Sequence, residues 1–217
     1  NLLFAACNTA TAATLPALSD ALKPVPALGV IDPGAEAAVK AAPSGRIAVI
    51  ATEGTVSGRA YGRAIHARNP AAIVTQQACS LFVALAEEGL TNGPIVGLAA
   101  KRYLDPLLAG ASPECLVLGC THFPVLKETI ALIAGPGVKL VDSAETTALA
   151  VERLLNDRDL ARDSGARTLR FLATDAPERF ARVGEIFHSP DKGPSYRVPS
   201  NPFGFGQWFR ENVVYPT

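Results

Sequence analysis

Cys115-Leu116-Val117-Leu118-Gly119-Cys120-Thr121-His122-Phe123-Pro124 decides how the rest of the chain is read. From Cys115 to Gly119 the residues are apolar without alternation. That suits a strand buried on both faces of a parallel sheet, because a strand with one wet face alternates polar and apolar side chains. The polar turn at Cys120 then leads into a helix-like segment. Working outward, residues 2–6, 27–31, 46–51, 71–76, 138–141 and 168–173 also read as short buried strands. Helical patterns fall between them at 10–21, 34–41, 57–67, 81–88, 95–108, 125–134, 144–156 and 177–187. Alternation of strand and helix predicts an α/β fold of mainly parallel sheets flanked by helices, joined by right-handed crossovers.

Composition narrows the function classes. A chain of 217 residues can bury one large core or two modest ones. With 48% hydrophobic and 18% charged residues it is globular, not disordered. Its formal net charge of zero gives no electrostatic reason to expect nucleic acid or an anionic membrane as partner. No apolar run approaches the roughly 20 residues of a membrane helix. The start, Asn1-Leu2-Leu3-Phe4-Ala5-Ala6-Cys7-Asn8, lacks the basic opening of a signal peptide. It opens directly on a strand-like run, which points to further sequence upstream. Cys7, Cys79, Cys115 and Cys120 form no CxxC pair, so they read as free thiols of a cytoplasmic chain. Neither G-x-G-x-x-G nor G-x-x-x-x-G-K-[ST] occurs, which argues against a nucleotide site. In residues 189–217, Pro190, Pro194, Pro199, Pro202 and Pro216 interrupt any period, and the segment reads as an irregular tail rich in Pro and aromatic residues.

One plan occurs twice. Leu2-Leu3-Phe4-Ala5-Ala6-Cys7-Asn8-Thr9 is a buried strand ending in Cys, then polar residues, then a helix. Leu116-Val117-Leu118-Gly119-Cys120-Thr121-His122 repeats it. Ligands of open α/β sheets bind beyond the carboxyl ends of the strands. There the next helix presents unpaired N–H groups and partial positive charge, which favour a thiolate and can hold a carboxylate. Either cysteine is therefore expected to have a lowered pKa. Asn8, Thr9, Thr121 and His122 add hydrogen-bonding side chains at the same two places. A lone buried Cys is more often a small hydrophobe, but a pair in matching polar turns favours chemistry. Zinc held by Cys7, Cys120 and His122 is a weaker reading, since zinc wants three or four converging ligands and no further Cys/His spacing supplies them.

The two Cys motifs, Ala6-Cys7-Asn8-Thr9-Ala10 and Leu118-Gly119-Cys120-Thr121-His122-Phe123-Pro124, resemble the signature motifs of bacterial glutamate racemases, in order and spacing. Gly29-Val30-Ile31, Ala51-Thr52-Glu53-Gly54-Thr55-Val56, Leu81-Phe82-Val83 with Glu87-Glu88-Gly89, Val141-Asp142-Ser143-Ala144 and Phe171-Leu172-Ala173-Thr174-Asp175 extend the resemblance over residues 1–187. It implies two pseudo-symmetric domains with the active site in the cleft between them. Residues 1–27 with 142–188 would form the first domain and 28–141 the second. It further implies L-/D-glutamate as substrate, no cofactor, no metal and a role in peptidoglycan synthesis, and it leaves room for a homodimer. Inverting a carbon needs a base on one face and an acid on the other. By the family's pattern Cys120 deprotonates L-glutamate and Cys7 protonates the opposite face. Asn8, Thr9, Thr121 and His122 match substrate contacts, and Thr52 and Thr55 stand in a turn suited to touch substrate. His122 and Glu87 match groups that assist catalysis.

Two departures qualify this. The family's Asp-Ser-Gly and Pro-Tyr-Gly elements stand upstream of the first Cys motif, and only six residues precede Cys7. Asp163-Ser164-Gly165 repeats the tripeptide in a charged, loop-like context and reads as a decoy. Two alternatives stay open at this point: another aspartate/glutamate-type racemase, or a catalytically silent remnant acting at most as a binding protein.

Overall fold

The computed structural model describes residues 2–161, 171–172, 176–188 and 213–214. They fall into two compact units, residues 2–86 with Leu90–Ala161, and Glu87–Gly89 with the described residues beyond 161. In chain order the first unit comprises β1 (Leu3–Ala5), α1 (Asn8–Ala21), β2 (Ala27–Gly29), α2 (Ile31–Ala41), β3 (Arg46–Ala51), α3 (Glu53–Ser57) and α4 (Ala60–His66). It continues with β4 (Ile73–Ala78), α5 (Ser80–Glu87), α6 (Pro94–Ala111), β5 (Cys115–Gly119), a 3-10 turn at Phe123–Leu126, α7 (Lys127–Ala134), β6 (Lys139–Asp142) and α8 (Ser143–Asp157). Glu87, the last residue of α5, belongs to the second unit. That unit also holds β7 (Phe171–Leu172), α9 (Pro177–His188) and β8 (Val213–Val214), with β7 and β8 paired in parallel.

Four strands form one parallel sheet in the order β4-β3-β5-β6. Ile47 to Ala51 and Cys115 to Leu118 are at most 1% exposed, and their alternating side chains feed two different cores. Ala48, Ile50, Leu116 and Leu118 pack with Phe82 and Leu104 on one face. Ile47, Val49, Ala51 and Val117 pack with Ala35, Ala38 and Tyr61 on the other. Each fully buried aliphatic side chain contributes about 1.5–3 kcal/mol. A continuous apolar run is therefore what a strand sandwiched between two helical layers needs.

β1 and β2 form a separate parallel pair, with Phe4 opposite Leu28 and Ala5 opposite Gly29. α1 crosses close above it. A Cβ at Gly29 would stand 2.4 Å from Thr11 Cγ2, so only glycine fits there. Thr11 Oγ1 donates to the Ala5 carbonyl at 3.0 Å, tying the helix to the strand that precedes Cys7.

Several boundaries differ from the sequence expectation. The predicted helix 57–67 is two helices, because Arg59 adopts a left-handed φ of 49° between them. α3 starts early, as the Thr52 hydroxyl accepts from the Thr55 N–H and caps it. β4 runs two residues later than predicted. Asn69 Oδ1 accepts from Ala71 N–H and closes a turn, and the ladder begins where Ile73 N–H meets the Gly45 carbonyl. Of the predicted strand 168–173, only Phe171–Leu172 lies within the described residues. Residues 163–165 and most of the tail lie outside them.

Candidate active site

The strand order turns back on itself between β3 and β5: β4 follows β3 on one side, and β5 and β6 lie on the other. The carboxyl ends of β3 and β5 therefore flank the switch point where open α/β sheets bind ligands. Thr52 and Thr55 follow β3, and Cys120, Thr121 and His122 follow β5. Cys7 is the N-cap residue of α1, in extended conformation and solvent-exposed, with Asn8 and Thr9 in the first helical turn.

Tertiary contacts join these separate stretches. Thr9 Oγ1 lies 2.8 Å from Thr52 Oγ1 and 3.1 Å from Thr55 Oγ1, and the last two are 3.0 Å apart. A triangle of hydroxyls thus links the first helix to the turn after β3. Cys120 is 5% exposed, and its Sγ stands 3.8 Å from His122 Nδ1.

Cys120 departs from expectation in one respect. Burial pushes its thiol up to about 11, against the lowering effect of the His122 and Phe123 N–H groups, and Cys7 raises it further. Desolvation of a thiolate outweighs the donors at the helix terminus here. The thiol is protonated at neutral pH, ready to act as an acid. To act as a base it must first give up its proton, and His122 Nδ1 stands within reach. Cys79 and Cys115, away from the motifs, are pushed up to about 12 by burial alone or burial foremost.

These shifts carry a pH dependence for stability. The folded chain holds the protons of three buried thiols, and of buried Tyr61, more tightly than the unfolded chain. Their contribution is full below the ordinary thiol value of 9.0 and is lost as pH rises toward the folded values of about 11 to 12. Urea midpoints are expected to fall steadily between about pH 9 and about pH 12, and less steeply in Cys79→Ala. A flat profile would contradict the burial of these groups.

Thr121 and His122 are half-buried beside Cys120. Glu87 lies in the second unit, where its carboxylate pairs with Arg179. Among the described residues no three His, Cys, Asp or Glu side chains converge as metal ligands would. A cleft of about 680 Å³ runs past Ala6, Thr121 and Ser143 along α8. Its other walls are mostly apolar, including Phe4, Val30 and Leu155, so it offers little to a charged amino acid.

Sequence reasoning missed Tyr61. It is fully buried, and its hydroxyl donates to Asn8 Oδ1 at 2.7 Å. Gly34 and Gly119 make room for its ring, since a Cβ at either would stand 3.1 Å or 2.9 Å from Tyr61 atoms. The one available signal was a large aromatic between Ala60 and Gly62 on a segment otherwise poor in bulky side chains.

Residues 2–151 match the family model described as Asp/Glu/Hydantoin racemase. Among curated proteins, the glutamate racemase of Geobacter metallireducens is 45% identical over 198 residues, covering 91% of this chain and 73% of that protein. Among solved structures, glutamate racemase isoform RacE1 from Bacillus anthracis superposes with a TM-score of 0.81 at 36% identity, over 86% of this chain and 69% of that one. The Francisella tularensis glutamate racemase in complex with D-glutamate gives 0.79 at 35% identity, over 86% and 68%.

Proposed function

The chain belongs to the Asp/Glu/hydantoin racemase family and, within it, to the glutamate racemases, and from that premise we propose that it interconverts L- and D-glutamate by proton transfer between Cys7 and Cys120. The observation that carries this reading is the pair of cysteines that follow β1 and β5, each set among hydrogen-bonding side chains, with His122 Nδ1 3.8 Å from Cys120 Sγ. Racemisation needs the α-proton removed on one face and a proton returned on the other. Two thiols from different sheets can stand on opposite sides of a substrate, and each turnover exchanges their protonation states.

In this reading Cys120 takes the proton of L-glutamate and Cys7 that of D-glutamate. His122 assists Cys120, supported by the 3.8 Å approach of Nδ1 to Sγ. Asn8, Thr9, Thr52, Thr55 and Thr121 hold the substrate's polar groups, supported by the hydroxyl triangle that gathers three of them. Glu87 belongs to the same reading as a carboxylate that assists catalysis. The division expected from the resemblance, residues 1–27 with 142–188 against 28–141, belongs to the same reading. The reaction uses no cofactor, because the thiols themselves carry the proton, and it supplies D-glutamate for peptidoglycan in the cytoplasm. Four free cysteines agree with that compartment. Assembly as a homodimer belongs to the same reading.

The deciding experiment is proton NMR of L-glutamate, and separately D-glutamate, with the purified chain in D₂O and no added cofactor. Loss of the α-proton signal with appearance of the other enantiomer is expected. An unchanged signal with both enantiomers would overturn the proposal.

A further inference from the structure

We propose that Tyr61 is a positioning residue that fixes the Asn8 carboxamide, so that its Nδ2 is held as a donor for the substrate. The inference rests on the racemase reading of the Cys7 motif and adds to it a residue outside both motifs.

Three observations carry it. The Tyr61 hydroxyl donates to Asn8 Oδ1 at 2.7 Å, with both residues buried. That bond decides which end of the carboxamide faces inward, since an amide can otherwise flip. With Oδ1 engaged, Nδ2 is buried and has no acceptor among the described residues. A buried amide donor normally has a partner, and a substrate oxygen at the adjacent Cys7 would supply one. Tyr61 is itself immobilised. Its ring is wedged against Gly34 and Gly119, where any larger residue would collide with it. The ring is fully buried, so the phenol has no open space into which to swing. Tyr61 comes from α4 and Asn8 from α1, so the contact ties the layer beneath β5 to the helix that Cys7 caps.

The phenol does not touch the reacting carbon in this scheme. It acts by holding Asn8 in one rotamer, which lowers the cost of ordering when substrate arrives. Its loss should therefore weaken binding more than chemistry.

Tyr61→Phe keeps the ring and removes only the hydroxyl. KM for both enantiomers is expected to rise about tenfold, while kcat changes less than about threefold, matching the loss of one neutral hydrogen bond. In Asn8→Ala the further change Tyr61→Phe should have no added effect on KM. A second readout needs no activity. In a nitrogen–proton correlation spectrum of the unliganded chain, the Asn8 side-chain pair should be sharp and slow to exchange, and should collapse toward exposed-amide behaviour in Tyr61→Phe. Additive effects on KM, a fall in kcat at constant KM, or an Asn8 pair indifferent to Tyr61→Phe would each overturn the proposal. If the wild-type chain fails to exchange either enantiomer, the racemase reading falls with it. The Asn8 amide pair then still decides whether Tyr61 fixes that side chain.

Discussion

Cys7→Ala and Cys120→Ala should each lower glutamate racemisation by on the order of 10²–10⁴-fold, the range a positioned acid or base contributes. In the proposed mechanism each variant removes one of two groups that act in sequence on opposite faces, so neither has a substitute. The double variant should then be little worse than either single one, because residues that act as a unit are not additive. The enantiomers distinguish the roles. With Cys7 gone, Cys120 can still remove and return the α-proton of L-glutamate on its own face, exchanging it for deuterium without inversion. With Cys120 gone, D-glutamate should show the same washout through Cys7. Deuterium incorporation with retained configuration, read by NMR and chiral chromatography, would assign each thiol to its face. Two variants that racemise at more than about a tenth of the wild-type rate would sink the two-thiol mechanism.

Cys120 asks more of this mechanism than Cys7 does. Cys7 is open to solvent, whereas Cys120 is buried and its thiol is pushed up to about 11. In the proposed mechanism His122, whose Nδ1 stands 3.8 Å from Sγ, offers the way round this. A proton passed to Nδ1 leaves a thiolate beside a cation, and that pair is easier to bury than a lone thiolate.

The largest stability effect is expected at Phe82. Its ring is fully buried and meets Tyr103 and Phe123 edge-on, each with centroids 5.3 Å apart. Phe82→Ala should cost about 3–5 kcal/mol, combining lost burial with the cavity left between the two remaining rings. That is a large part of the roughly 5–15 kcal/mol that holds a domain folded. Urea denaturation should show the midpoint falling with little change in slope. Phe82→Leu should lose far less, under about 1.5 kcal/mol, because it keeps most of the volume. A Phe82→Ala cost below about 1 kcal/mol would mean that the core closes over the gap. Phe123 also lends its N–H to Cys120, so loosening this cluster should reach the second thiol.

Much of the architecture is legible one strand at a time. Arg46–Ala51 and Cys115–Gly119 appear in the structure with the predicted bounds. Burial on both faces leaves a local mark, an apolar run without alternation, and needs no knowledge of neighbours. β4 is harder to read. The expected strand stops at residue 76, and what carries it on through Gln77 and Ala78 is pairing with Ile50 and Ala51 of β3. The break at Arg59 is equally invisible, since α3 and α4 are helical on either side of it.

The site divides in the same way. Cys7, Asn8, Thr9, Cys120, Thr121 and His122 stand out because strand-end position, helix start and polar chemistry coincide within a few residues of chain. By itself the sequence determined the buried strands, the two thiols at strand ends and the family to which they point, since each is written in local pattern. Only the tertiary structure decided that Thr9 meets Thr52 and Thr55, that Tyr61 grips Asn8, and that Cys120 is raised rather than lowered. Those outcomes depend on which distant side chains exclude water from a group, and desolvation is a property of the packed neighbourhood that no short stretch of chain encodes.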